Sequence, residues 1–419
     1  MIKIRIAHIS DVHQGIGFPG PNPLSRFDDI NRILDWTADR LIAEKVDLCL
    51  IAGDCFKDAK VMLDRASQEI ASIVRFLRQL SSAGIETIVI SGTPSHDALS
   101  AYGLIKEMGI KGVQIFTAPK VCYADVPKEE YRNFFPVALL PGLNRSALLT
   151  QEEYKGLPPE QVHRIMTDKI SQLCMGMAAQ MPDDKPKILM AHMTYQGADT
   201  GFTDLLMQHE PILTREAVAG FDLVCLGHIH RPQIIDSKVF YSGPVERLSF
   251  NEQDIKPGFY IHEIINWDGC KDKCLDIQSQ FIETPSRRYV TLDFDEWAIK
   301  EFIKDGNLIW TFEEDSDGAP MFPPIKDAIV RLRYSCSEEV SKQLNRKQLE
   351  QSLYDAGCFY VAEIKAEIER TDRARDSEVT EALTPLLALE KWAINQNIDE
   401  AEINELVNMA SGLMEQSSC

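Results

Sequence analysis

The chain has 419 residues, of which 44% are hydrophobic and 26% are charged, as in globular proteins of two or three domains. Its formal net charge of −20 argues against a broad basic surface that would bind nucleic acid. No apolar run of about 18 residues suggests a membrane span, and no signal peptide precedes the first strand pattern. The ten cysteines are scattered, several in apolar runs, so we expect reduced, buried thiols and a cytoplasmic protein without a membrane partner.

Strand and helix patterns alternate over the first two-thirds of the chain. The predicted strands are Lys3–Ile9, Val46–Ala52, Ile85–Ile90, Lys187–Ala191 and Phe221–Leu226. The predicted helices between them are Phe27–Lys45, Met62–Ser82 and Pro159–Ala179. The region Lys238–Ile282 is rich in further strand patterns. This alternation predicts an α/β fold in which helices cover a sheet.

A domain boundary is expected near Thr284 and Pro285, which gives domains at 1–284, 285–369 and 370–419. The middle domain has an α+β pattern, and its predicted elements are Arg288–Phe294, Glu296–Lys304, Ala328–Tyr334, Glu338–Asp355 and Phe359–Ile364. The last segment is helical, with Asn397 as a possible cap. Its apolar stripe contains Ile403, Leu406, Val407, Ala410 and Leu413.

Polar clusters follow five of the predicted strands. They are Asp11-Val12-His13, Gly53-Asp54, Gly92-Thr93-Pro94-Ser95-His96-Asp97, His192 and Gly227-His228-Ile229-His230. The carboxyl ends of parallel strands form the edge of a sheet at which α/β folds bind ligands. We therefore expect the five clusters to converge.

Aspartate and histidine together suit manganese, iron, cobalt or zinc. The number of candidate ligands fits two ions bridged by a carboxylate better than a single ion, and Asp54 is the natural bridge. Two ions would activate a water molecule and clamp a phosphate. His96 would then stabilise or protonate the leaving oxygen.

Each motif alone has a simpler interpretation. An Asp-x-His pair is more often a surface or capping feature, and Gly-Asp after a strand is often a turn. The combination of five strand ends favours the metal site. His8, inside the first strand, is predicted to be packed in the core, and His163, His209 and His262 are predicted to be structural or on the surface.

The five motifs resemble the pattern of the calcineurin-like metallophosphoesterases. Within that superfamily the chain is most similar to nucleases of the SbcD type, because the tract Tyr241–Phe250 resembles the segment after their last metal motif. The small domain after Pro285 also resembles their capping domain. The resemblance implies a four-layer α/β/β/α sandwich with an α+β capping domain and a helical C-terminal tail.

The resemblance further implies a ligand set for each of two divalent ions, most often Mn²⁺, with Fe²⁺, Co²⁺ or Zn²⁺ possible. One ion would be held by Asp11, His13, Asp54 and His230. The other would be held by Asp54, His192, His228 and an asparagine of the third motif. His96 would be catalytic, with Asp97 orienting its ring. The asparagine is absent here and two residues are inserted, so Ser95 or a water is expected to supply the missing oxygen.

The implied function is a metal-dependent DNA exonuclease or endonuclease that processes breaks or hairpins. The implied partners are DNA, an SbcC-like coiled-coil ATPase gripped by the C-terminal helices, and a second copy of the chain. Two alternatives remain. The acidic charge favours a phosphoesterase that acts on other phosphoesters, and the altered third motif favours a partly inactive scaffold subunit.

Overall fold

The computed structural model describes the following residues: 2–59, 63–95, 97–128, 131–143, 157–201, 210–267, 276–308, 322–369, 383–396 and 398–416. The chain divides into two compact units. The first contains Met1–Leu292, Leu308–Leu332 and Glu350–Ile364. The second contains Asp293–Asn307, Arg333–Leu349 and Lys365–Cys419. The domain limits expected from the sequence stay a prediction.

The first unit contains two six-stranded sheets. The strands of the first are β1 (Ile2–Ile9), β2 (Leu48–Ala52), β3 (Glu86–Ile90), β4 (Val113–Phe116), β11 (Gly258–Trp267) and β12 (Asp276–Glu283), in the order β12-β11-β1-β2-β3-β4. Strands β1 to β4 are parallel to one another, and β11 and β12 extend the sheet in antiparallel pairs. The carboxyl ends of β1, β2 and β3 therefore meet at one edge.

The second sheet also combines parallel and antiparallel pairs. Its strands are β5 (Lys120–Lys128), β6 (Tyr131–Leu140), β7 (Ile188–His192), β8 (Leu223–Gly227), β9 (Gln233–Ile235) and β10 (Val239–Tyr241), in the order β5-β6-β7-β8-β10-β9. The four inner strands are parallel. The edge strands β5 and β9 pair antiparallel with their neighbours.

Three buried layers of apolar side chains hold the sheets and helices together. The middle layer lies between the sheets and includes Ile6, Leu50, Ile90, Val137 and Met190. One outer layer joins the first sheet to the helices α1 (Ser25–Ala43), α2 (Leu63–Ser82) and α3 (Leu99–Glu107). The other joins the second sheet to helix α4 (Pro159–Gln180). The order of layers is helix, sheet, sheet, helix, which confirms the predicted α/β/β/α sandwich.

Further elements follow the second sheet in the chain. A three-stranded sheet has the order β13 (Tyr289–Phe294), β14 (Ile329–Ser337) and β15 (Tyr360–Glu369). The helices here are α5 (Glu296–Asp305), α6 (Glu338–Gln343) and α7 (Arg346–Asp355). Two last helices, α8 (Pro385–Asn395) and α9 (Glu400–Gln416), end the described chain.

Two sequence predictions need correction in this region. The helix predicted at Glu338–Asp355 is two helices, because Leu344 is extended and the Asn345 side chain accepts a hydrogen bond from Gln348 N at 3.2 Å, as a helix cap does. The cap of α9 is Asp399, whose carboxylate accepts hydrogen bonds from the backbone of Ala401 and Glu402. Asn397, the predicted cap, lies outside the described residues.

Among the helices in the described part of the chain, none is both long enough and apolar enough to cross a bilayer.

Candidate metal centre

The candidate ligands lie where strands of the two sheets end. Asp11 follows β1, Asp54 follows β2, and His192 ends β7. Contacts between these ends join the sheets: His228 N donates to Asp11 Oδ1 at 3.0 Å, and His192 Nδ1 lies 2.8 Å from the carbonyl oxygen of Ala52. The predicted convergence of the strand ends is therefore observed.

The backbone at this edge is unusual. Four non-glycine residues have positive φ angles, namely Asp11 (53°), His13 (49°), Asp54 (49°) and His228 (94°). Such conformations are costly for residues with a Cβ atom and persist where surrounding contacts enforce them. Here the backbone of Asp11 donates to Gly53 O at 3.1 Å, and that of His13 donates to Asp54 O at 2.9 Å. These bonds turn the side chains toward one another.

Two overlapping groups of side chains could each hold an ion. In the first, ligand atoms of Asp11, His13 and His230 lie within 4.8 Å of one another. In the second, the same holds for Asp11, Asp54 and His192. Asp54 Oδ2 lies 3.6 Å from His13 Nε2 and 3.3 Å from His192 Nε2, between the two groups. Its position is that of a bridging carboxylate.

Each of three imidazoles has one nitrogen held by a neighbour. His192 Nδ1 is held by the Ala52 carbonyl, His230 Nδ1 lies 2.8 Å from Glu252 Oε1, and His228 Nε2 lies 3.0 Å from Glu210 Oε2. The other nitrogen faces a carboxylate of the centre in two of these rings: His192 Nε2 lies 3.3 Å from Asp54 Oδ2, and His230 Nε2 lies 3.9 Å from Asp11 Oδ1. In His228 the other nitrogen lies 3.5 Å from Thr93 Oγ1. Metal-binding histidines are oriented in this way. The residues present therefore fit a divalent metal.

Negative charge dominates the electrostatics. Burial lowers the pKa of His192, but the Asp54 carboxylate, together with Asp11 and the Ala52 carbonyl, raises that pKa to about 10. Burial also lowers the pKa of His230, but the hydrogen bond to Glu252 and the charge of Asp11 raise it to about 9. The centre favours positive charge strongly enough to overcome desolvation, as a site for cations does.

The third motif forms a loop after β3. Thr93 N donates to Asp54 Oδ1 at 2.8 Å, and Thr93 Oγ1 lies 3.5 Å from His228 Nδ1. Ser95 is exposed, so its role as a ligand stays a prediction, and Thr93 is the better candidate from its contacts. His96, the predicted catalytic histidine, lies outside the described residues.

Asp97 is buried and binds two loops together. Its carboxylate accepts hydrogen bonds from Gly92 N at 2.6 Å, Phe56 N at 3.1 Å and the Tyr102 hydroxyl at 2.6 Å. Burial, with a smaller contribution from Asp54, raises its pKa to about 6. Asp97 thereby positions the loops after β2 and β3, and its predicted contact with His96 stays a prediction.

The tract Tyr241–Phe250 is part of the centre. Ser242 Oγ lies 2.8 Å from Ser10 Oγ, which in turn donates to Asp11 Oδ2 at 2.5 Å. Immediately after the tract, Glu252 orients His230. Neither Glu252 nor Glu210 was predicted from the sequence to be part of the centre. Glu252 could have been suspected because it lies beside this tract in the sequence. No sequence feature pointed to Glu210.

A buried ion network anchors the same tract. Arg26 and Glu246 are both fully buried, and Arg26 Nη2 lies 3.2 Å from Glu246 Oε1. Arg26 also donates to the carbonyl oxygen of Arg247 at 2.6 Å and pairs with Asp29. Because each charge has a partner, the network fixes the tract against α1.

Comparison with known proteins gives one family match. The family model described as calcineurin-like phosphoesterase matches residues 4–232, more than half of the chain. Among solved structures, GAP50, the anchor in the inner membrane complex of Plasmodium, is 12% identical over 68% of this chain and 85% of its own, with a TM-score of 0.39. A protein from Thermus thermophilus is 14% identical over 67% and 99%, with a TM-score of 0.33. A dimetal phosphatase from Danio rerio is 11% identical over 67% and 97%, with a TM-score of 0.34.

Proposed function

Since this chain belongs to the calcineurin-like phosphoesterase family, and hence to the metal-dependent phosphoesterases, we propose that it hydrolyses phosphodiester bonds in DNA with two divalent metal ions. The observation that carries this proposal is that the SbcD-like tract Tyr241–Phe250 is built into the centre. Ser242 contacts Ser10, and Glu252, just after the tract, orients His230. A phosphoesterase without this tract would lack the contact of Ser242 with Ser10.

The proposed ligands combine the two observed groups with the ligand sets that the family resemblance implies. Asp11, His13, Asp54 and His230 would hold one ion. Asp54 and His192, from the second group, would hold the other ion. His228 lies outside both groups and is assigned to this ion by the family resemblance, with Thr93 beside it. The ions would supply an activated water and neutralise charge on the phosphate. Mn²⁺ is the proposed metal, and Fe²⁺, Co²⁺ or Zn²⁺ suits the same mixed oxygen and nitrogen donors.

The protein's own residues have separate tasks. Asp54 would hold both ions at a fixed spacing, because the Thr93 backbone restrains one of its oxygens. Glu252 and Glu210 would fix the planes of two imidazoles. His96 would stabilise or protonate the leaving oxygen.

The C-terminal helices support a proposal about partners. Several apolar side chains of α8 and α9 are exposed, including Trp392, Ile394, Leu406 and Met409. Single exposed apolar residues are ordinary, but a set on two consecutive helices is typical of an interaction surface. We assign this surface to an SbcC-like coiled-coil ATPase, and we further propose that the chain forms a homodimer. This chain has a net charge of −20, which argues against a broad basic surface of its own for DNA. The ATPase partner would supply that surface.

The test is cleavage of linear and hairpin DNA by the purified chain, in Mn²⁺ and in chelator. We expect cleavage only with metal, and we expect the His96→Ala variant to lose cleavage while it binds metal normally. A His96→Ala variant that cuts DNA at the wild-type rate would refute the role of His96.

The acidic charge favours a second candidate, a phosphoesterase with a smaller substrate. Metal-dependent turnover of a nitrophenyl phosphodiester, without cleavage of DNA, would favour it. Failure to turn over either substrate, despite bound metal, would favour a scaffold subunit. Full DNA cleavage by the isolated chain would exclude the scaffold.

A further inference from the structure

A second cluster of ligand-type side chains lies in the layer between the sheets. His8 on β1, Cys225 on β8 and His262 on β11 are all fully buried. One ligand atom from each lies within 4.8 Å of the other two. None of the three belongs to the proposed hydrolytic centre. The sequence predicted that His8 is packed in the core and that His262 is structural or on the surface.

Each imidazole of this cluster has one bonded and one bare nitrogen. His8 Nε2 lies 3.0 Å from the Leu226 carbonyl oxygen, so this nitrogen carries the proton and donates it. His262 Nδ1 lies 2.8 Å from Ser279 Oγ. Within the described part of the chain, His8 Nδ1 and His262 Nε2 have no hydrogen-bond partner. A metal-binding histidine has the same arrangement: one ring nitrogen is hydrogen-bonded to an oxygen, and the other has no hydrogen bond and can bind the metal.

The three groups are uncharged at neutral pH. Burial lowers the pKa of His8 to about 4 and lowers the pKa of His262 well below its usual value. Burial raises the pKa of the Cys225 thiol. The core therefore contains two imidazole lone pairs and a thiol in a space too dry for free charge. Buried polar atoms normally have partners, so bare ones require an explanation.

We propose that His8, Cys225 and His262 bind a single Cu⁺ ion. A thiolate and imidazoles suit soft metal ions. On binding, the Cys225 thiol releases its proton to solvent, the S–Cu bond forms, and copper stays in the +1 state.

Charge and ligand number favour Cu⁺ over Zn²⁺. One thiolate and two neutral imidazoles with Cu⁺ form a complex of zero net charge, whereas a divalent ion would leave a positive charge in the dry core. Structural zinc sites use four ligands, and the cluster offers three among the described residues. The site is fully enclosed, so the ion must bind before β11 docks beside β1 during folding.

The test is refolding of the metal-free full-length chain without oxygen, with Cu⁺ supplied from a weak chelator or with Zn²⁺, followed by dialysis. We expect about one equivalent of retained copper, with sulfur in its first coordination shell by X-ray absorption. The hydrolytic centre offers only oxygen and nitrogen donors among its described candidates, so a sulfur ligand distinguishes the two sites.

Two variants show which cysteine provides the sulfur ligand. Cys225→Ser should lose the retained copper, while Cys49→Ser, which removes a buried thiol of β2 outside the cluster, should keep it. If Cys225→Ser fails to fold, the wild-type spectrum still decides, because the proposal requires one sulfur and two imidazoles. No retained copper, copper retained by Cys225→Ser, or retained Zn²⁺ with sulfur in its first coordination shell would each overturn the proposal.

Discussion

Glu252 shows how a single residue outside the metal motifs can set the geometry of a ligand. Its carboxylate holds His230 Nδ1 with one oxygen and accepts a hydrogen bond from Leu248 N at 2.7 Å with the other. The carboxylate therefore restrains both the ring and the tract. Such supporting groups contribute to metal affinity although they do not touch the metal.

We expect Glu252→Gln to weaken Mn²⁺ binding by about 10- to 100-fold, because the amide holds His230 less firmly and adds no negative charge. Titration calorimetry measures this change. Glu216→Gln, an exposed carboxyl in the same unit, is the control and should leave the affinity unchanged. Equal affinities in Glu252→Gln and wild type would mean that the contact is incidental.

The altered third motif gives a prediction at Thr93. Its hydroxyl lies 3.5 Å from Nδ1 of His228, one of the proposed ligands. Thr93→Asn should tighten the weaker Mn²⁺ binding step by about tenfold, because an amide oxygen is a better ligand than a hydroxyl. Ser95→Ala should change neither step. If Ser95→Ala weakened Mn²⁺ binding and Thr93→Asn left it unchanged, Ser95 would be the ligand instead.

At the scale of a residue, the sequence predicted the aspartates and histidines of the centre because their types and order are specific. It could not predict Glu210 or Thr93 as neighbours of His228. Those contacts depend on how two loops fold against each other, which no short-range pattern encodes. The two-residue insertion left Ser95 or a water as the expected substitute for the asparagine, and Thr93 was not considered.

The loops at the strand ends pack without room for side chains. A Cβ atom added at Gly92 would lie 1.8 Å from Asp54 Oδ1 and 2.3 Å from Asp54 N. One at Gly103, inside α3, would meet nothing within 4 Å. The first position therefore requires glycine, while the second merely tolerates it.

Gly92→Ala should lower the free energy of unfolding by about 2 kcal/mol or more, because the loop after β2 must move to relieve the clash. Gly103→Ala should raise it by about 0.5–1 kcal/mol, since alanine favours the helix. Urea unfolding curves measure both. If Gly92→Ala left the free energy of unfolding unchanged, the loops after β2 and β3 would not be in close contact.

The strands and helices that position the centre and were predicted from the sequence agree with the structure to within two residues at their ends. Strands such as β2 are continuous apolar runs followed by a turn, and the buried residues of α1 have helical spacing. The break within Glu338–Asp355 was missed because Asn345 interrupts a pattern that is otherwise helical on both sides.

Across the whole first unit, buried ionisable groups link folding to pH. Burial raises the pKa of Glu246 to about 7, from an ordinary value of 4.5, although Arg26 opposes this. A carboxyl whose pKa is higher in the folded state stabilises the fold fully below its unfolded pKa. That contribution is lost as the pH rises through the folded value.

As the pH rises from 4.5 to 7, the free energy of unfolding of the wild type should therefore fall by on the order of 3 kcal/mol. The Glu246→Gln variant has no carboxyl at this position and should not show this fall. Denaturant unfolding at several pH values measures the difference. Glu216→Gln should instead run parallel to wild type. If the free energy of unfolding changed with pH equally in Glu246→Gln and in the wild type, the network around Arg26 would keep this carboxylate ionised over the whole pH range.

At the scale of the molecule, alternation of strands and helices predicted only a layered α/β fold. The four layers followed from the family resemblance, because a sequence pattern does not show which sheet packs on which. The two strands β11 and β12 that complete the first sheet lie more than 200 residues after β1 in the chain. Pairings of this range depend on the tertiary fold.

The central claim is that Asp54 bridges two metal ions. Anomalous diffraction from crystals soaked in Mn²⁺ tests it most directly. We expect two peaks about 3.5–4 Å apart. One should lie among Asp11, His13 and His230, and the other beside His192 and His228. A single peak, or two peaks that do not share Asp54, would contradict the account.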